Sequence, residues 1–176
     1  MISTTSKTGS PTTTTRSLGR ITRAGDTIVG LYNTTAGGST GAKNGRYSGS
    51  SKTPIYAVVD VPGVDTGFYV TSSISNASIA VGLFFATAND GPNHDPLSAS
   101  FEGTNSDACN SGSSRTLFYN GSTGINAIFA PDRMTYCIQK NFANITPSKS
   151  YRLLVTSQRD PEWAFQYSGA HVIGYT

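Results

Sequence analysis

The chain has 176 residues and a mass of 18.5 kDa, room for one domain or for one domain with a long arm. Only 36% of its residues are hydrophobic and 13% charged, against about 45–50% and about 25% in an ordinary globular domain. That excludes a coiled coil or long-helix protein, and no run of 18 apolar residues exists to make a transmembrane helix.

The missing positions are filled by 23 Ser and 23 Thr, while nine Tyr, eight Phe and one Trp supply anchors for a core. In chain order the first element is an arm. Residues 1–25 hold 12 Ser or Thr and no helical period, and the β-branched Thr12, Thr13, Thr14 and Thr15 favour extended backbone. Lys7, Arg16, Arg20 and Arg23 give the arm a charge of +4, and the nine bases and ten acids that follow leave −1. Four bases in 25 positions make no polybasic run, so nucleic acid is not expected as a partner. The arm also lacks the apolar stretch of a signal peptide.

Beyond the arm, period-2 alternation predicts strands over 27–32, 55–61, 68–74 and 79–86. Further runs follow at 116–119, 127–130, 134–140, 151–157, 163–167 and 170–175. In 79–86, Ile79, Val81, Leu83 and Phe85 share the face expected to be buried, with Ala80, Gly82, Phe84 and Ala86 opposite. Residues 34–52 and 89–114 read as long connections. No capped amphipathic helix of three turns is present. Ten short strands separated by Gly, Pro, Asn and Asp predict an all-β protein, an antiparallel β-sandwich of jelly-roll or Greek-key type with an extended N-terminal arm (1–25) and a single domain (26–176). An immunoglobulin-like sandwich is the second choice, but the one Trp follows both cysteines instead of lying between them.

Chemistry-bearing residues are sparse. Cys109 and Cys137 are the only cysteines, and a disulfide between them would close a loop of about 29 residues, worth roughly 3.5 kcal/mol in the chain-entropy view and pointing to an oxidising compartment. Asp90, Asn93 and Asp95 crowd oxygen ligands into one Gly/Pro turn, a candidate calcium site that does not match the EF-hand spacing. No other cofactor is expected. Trp163, Phe165 and Tyr167 fall on one face of a strand. Trp163 and Tyr167 are thereby candidate glycan-platform residues, though such a stripe also suits the core face of a closing strand. His94-Asp95 and His171 offer no triad geometry, Glu102 and Glu162 are far apart in sequence, and the Gly37–Lys43 stretch lacks phosphate-loop spacing, so no enzyme is expected. Four Asn-X-Ser/Thr sequons, at Asn33, Asn76, Asn120 and Asn144, are about what this composition places by chance.

The main expectation is therefore a non-enzymatic structural subunit. It would self-assemble into a filament, surface layer or virion, outside the cell or on a virion surface, with the arm pairing to a neighbouring copy's sheet edge. The alternative is a carbohydrate-binding, lectin-like or adhesive β-sandwich module, with its site in the end loops around residues 89–95 and near Trp163. Membrane insertion is not expected.

Overall fold

Strand β5 (Ile79–Ala86) organises one half of the molecule and β9 (Ser150–Gln158) the other. The computed structural model describes residues 16–23, 26–31, 53–56, 67–106, 114–161 and 164–176. The remaining strands in chain order are β1 (Leu18–Arg20), β2 (Thr27–Leu31), β3 (Thr53–Tyr56), β4 (Gly67–Thr71), β6 (Pro96–Thr104), β7 (Thr116–Ser122), β8 (Lys140–Asn141), β10 (Ala164–Tyr167) and β11 (Gly169–Tyr175). Among the described residues the only helical segment is a single 3-10 turn at Pro92–His94.

The expected sandwich is present. A four-stranded sheet, β1-β11-β5-β8, faces a five-stranded sheet, β2-β4-β9-β6-β7, and β10 pairs with β3 in a short ribbon. Every pairing is antiparallel, and strands distant in sequence lie side by side, β4 beside β9 and β5 beside β11. Such crossovers are what Greek-key and jelly-roll connections produce. Between the sheets lie Phe68, Val70, Leu83, Phe85, Phe101, Tyr151, Leu153, Val155, Phe165 and Val172, all buried. Aromatic rings fill the wide gap between the layers, with Phe101 stacked on Tyr151 at 5.3 Å and Phe85 meeting Tyr167 edge-on at 5.8 Å.

Three differences from the sequence expectation have local causes. In β5 the register skips a residue, because Ile173 pairs with Gly82 but Gly174 pairs with Ala80. Val81 is thus the extra residue of a bulge. The period-2 phase reverses there, so Ala80, Leu83 and Phe85 enter the core cluster, and Ile79 and Val81 do not. Strand β6 falls in the stretch expected to be a connection. It is nonetheless an interior strand of the larger sheet, because Ala99 and Phe101 point inward and Ser98 and Ser100 outward. Residues 127–130, expected as a strand, form a turn. The 134–140 run does lie along β5, through a bridge of Tyr136 to Ala86 and the short β8.

Part of the expected arm belongs to the domain. β1 pairs with β11 of the same chain, Leu18 opposite Tyr175, and the following Ile21 is fully buried in the core. Residues 1–15 lie outside the described residues. No helix among the described residues is long and apolar enough to cross a membrane.

Candidate functional site

At one end of the sandwich the connections 87–95, 123–139 and 159–161 meet, and a single buried carboxylate ties them together. Asp95, fully buried just before β6, accepts from Arg133 Nη1 at 2.8 Å on Oδ1 and from Arg133 Nη2 at 2.9 Å on Oδ2. Arg159 Nη2 reaches the same Oδ2 at 3.3 Å. A charge taken out of water needs such partners, and the bidentate fork is the geometry that best supplies them.

Arg159 also reads the backbone of two loops. Its Nε donates to the Pro92 carbonyl at 3.2 Å, Nη1 to Ala127 at 3.1 Å and Nη2 to Asn126 at 2.6 Å. Main-chain bonds join the same segments, Arg159 N–H to Asp95 O at 3.0 Å and Asp160 N–H to Asn93 O at 3.2 Å. Thr87 Oγ1 donates to Asp132 O at 2.7 Å, closing the third side. Glycines permit the sharp turns: Gly91 has φ +51, and Gly124 has φ +94 with the Ile138 carbonyl 1.9 Å from where a Cβ would stand.

The 123–139 connection is stapled at both ends and bare at its tip. Thr123 Oγ1 donates to Pro96 O at 2.6 Å, and Ile125 is buried in the core cluster. Asn126 Oδ1 then accepts the backbone N–H of Ile128 at 2.8 Å and of Phe129 at 3.2 Å, an Asx-type turn. This turn presents Ile128, 82% exposed, and Phe129, 74% exposed. An aromatic ring held in solvent by a stapled turn is a preorganised contact surface.

The base of this connection rests on the outer face of the smaller sheet. The Tyr136 ring stacks on Phe84 at 4.5 Å and on His171 at 5.5 Å, its hydroxyl 2.6 Å from His171 Nε2. Arg20 lies over the same ring, 5.8 Å from its centre. Burial, with a smaller push from Arg20, lowers the His171 pKa to about 4, so the imidazole is neutral at pH 7.

The expected site residues fare differently. Asp90, Asn93 and Asp95 do share one loop, but Asp95 gives both oxygens to guanidinium groups, whereas Asp90 and Asn93 are exposed. Among the described residues no three His, Cys, Asp or Glu side chains gather as a metal site. Tyr167 is fully buried, its ring against Phe68, Phe85 and Phe165, so it has no face to offer a glycan. The i, i+2 stripe is thus the core face of β10, and Trp163 lies outside the described residues. Cys109 lies outside them too, while Cys137 is a half-buried thiol without a disulfide partner among them, its pKa raised chiefly by burial. Glu102 is paired with Arg152 Nη2 at 2.5 Å. Phe129, Asn126, Arg133 and Arg159 were not singled out from the sequence. The available signal was the apolar run 127–130 enclosed between Asn126 and Pro131, both turn-forming residues.

Comparison with known proteins bears on the fold. The chain matches no protein-family model and no curated sequence. Solved structures do match. The family 32 carbohydrate-binding module of Clostridium perfringens NanJ, in complex with galactose, aligns with a TM-score of 0.59 at 10% identity, covering 88% of this chain and 97% of that one. Chitosan-binding module 1 of a chitosanase/glucanase from Paenibacillus sp. IK-5 aligns at 0.55 and 16% identity, covering 89% and 99%. The fucolectin of striped bass (Morone saxatilis) serum aligns at 0.55 and 13% identity, covering 85% and 47%. The likeness is one of fold. What is shared is the β-sandwich, over nearly the whole length of the two bacterial modules.

Proposed function

We propose that this chain is a carbohydrate-binding module that acts by binding alone, outside the cell, with its glycan site at the loop end clamped by Asp95. The observation that carries the reading is Phe129, an exposed ring on a stapled turn at one end of a sandwich whose fold is shared with glycan-binding modules. A sugar's apolar C–H face stacks on such a ring, while loop carboxylates, amides and main-chain groups take its hydroxyls. The end loops were the location expected of the binding-module alternative. The supporting aromatic is Phe129 in place of Tyr167, which belongs to the core. Self-assembly through the arm has less support, because β1 completes a sheet of its own chain.

The test is a glycan array with the full chain and Phe129→Ala side by side. Retention of the full chain on a defined set of glycans, lost in the variant at unchanged stability, supports the proposal. Equal retention of both removes the loop tip as the site, and no retention of either removes the glycan reading.

A further inference from the structure

We infer that this loop end selects uncharged glycans and rejects acidic ones, whether uronate, sialylated or sulfated; the inference rests on the glycan-binding reading and narrows its ligand class. The argument is one of charge already committed. Proteins that capture a carboxylate or sulfate present a guanidinium fork or ammonium with no other anion to serve. Among the described residues two guanidinium groups stand in the loop cluster, and Asp95 engages both. Arg133 places both Nη atoms on that carboxylate and turns Nη2 to the Pro131 carbonyl at 2.9 Å as well. Arg159 makes four hydrogen bonds, one to Asp95 and three to carbonyls, and its side chain is only 12% exposed.

An arriving anion would therefore have to break the clamp that shapes the site. The rim adds repulsion, since Asp132 and Asp160 are exposed on two of the same loops. Arg20 lies on the flank, over the Tyr136 ring. Exposed carboxylates accept hydrogen bonds from sugar hydroxyls, so the feature that disfavours an acidic glycan suits a neutral one. The chain's overall charge of +3 runs the other way and would, by itself, forecast a preference for acidic ligands.

The experiment compares each neutral glycan retained on the array with its sialylated, sulfated or uronate counterpart, by titration at 20 and 500 mM salt. The expected result is weaker binding of the acidic member by about fivefold or more at low salt, the gap narrowing as salt rises. The double variant Asp132→Asn, Asp160→Asn should narrow the ratio of acidic to neutral affinity at low salt, the ratio being read whatever the variant does to neutral binding itself. Acidic glycans bound as tightly as their neutral counterparts, or tighter, overturn the inference and leave the glycan-binding reading standing. Absence of all glycan binding overturns both.

Discussion

Arg133 and Asp95 are 38 positions apart in sequence and meet through two parallel hydrogen bonds of 2.8 and 2.9 Å, one to each carboxylate oxygen. The carboxylate is buried and the guanidinium partly exposed, so the two ends of the pair are unequal. Asp95→Ala strands two guanidinium groups and unties three loops, and should lower stability by about 3 kcal/mol. Arg133→Ala should cost less, because Arg159 still reaches Oδ2. Urea denaturation of the two variants, fitted with a common slope, checks the ordering.

Phe129→Ala should do the opposite, leaving the fold alone and damaging binding. The side chain is 74% exposed, so a stability change within about 0.5 kcal/mol is expected. Affinity for a retained glycan should drop about tenfold or more, as for an aromatic anchor at the centre of a contact. Calorimetric titration and thermal melting of the same preparation separate the two effects.

His171 makes the fold sensitive to acid. Its pKa is about 4 folded and about 6.5 unfolded, so the unfolded chain binds more protons between those values. Stability is therefore fully present above about pH 6.5 and is lost as pH falls toward 4, by about 3 kcal/mol from this group. Below 4 its contribution is constant. Carboxylates titrate in the lower part of the same window, so the reading is the difference between the native chain and His171→Gln, whose slope over pH 6.5 to 4 should be shallower.

Tyr167→Phe should be neutral or stabilising by up to about 1 kcal/mol. The Tyr167 hydroxyl is buried without a hydrogen-bond partner among the described residues, and burial holds its pKa far above the usual phenol value. Removing an unsatisfied polar atom recovers its desolvation cost. The thermal midpoint is the measurement, with Tyr151→Phe as the contrast, since that hydroxyl donates to Ser78 O at 2.5 Å and its loss should be destabilising.

Gly124→Ala should be among the most damaging small changes. At φ +94 a Cβ is strained, and here it would stand 1.9 Å from the Ile138 carbonyl oxygen. A loss of about 2 kcal/mol or more is expected, read from the denaturation midpoint.

Alternation and turn residues made the sheets legible in the sequence. The 79–86 strand carries an uninterrupted apolar pattern, and its bounds coincide with β5. Its bulge at Val81 leaves no mark in composition, so the phase of its first residues was misread. β6 escaped notice for a different reason, because Ser98 and Ser100 alternate with the small Ala99 and leave Phe101 as its one large inward residue. The site was less legible than the fold. Asp95 was visible as an acid in a turn, but the arginines that occupy it arrive from 38 and 64 positions away. No local pattern records a pairing of that range. Phe129 looked like part of a strand because an apolar run reads the same whether it is buried or displayed.

Arg159 holds its neighbouring loops by the carbonyls of Pro92, Asn126 and Ala127, groups that every amino acid carries. Apart from the Asp95 carboxylate it grips main chain, and is to that extent indifferent to the side chains above it. Residues at 127–130 can therefore be exchanged without loosening the clamp, provided Gly91 and Asn126 keep their turns and Asp95 its charge. The same scaffold could then carry a range of displayed surfaces, making this end of the molecule a place where new specificities can be tried at small structural risk.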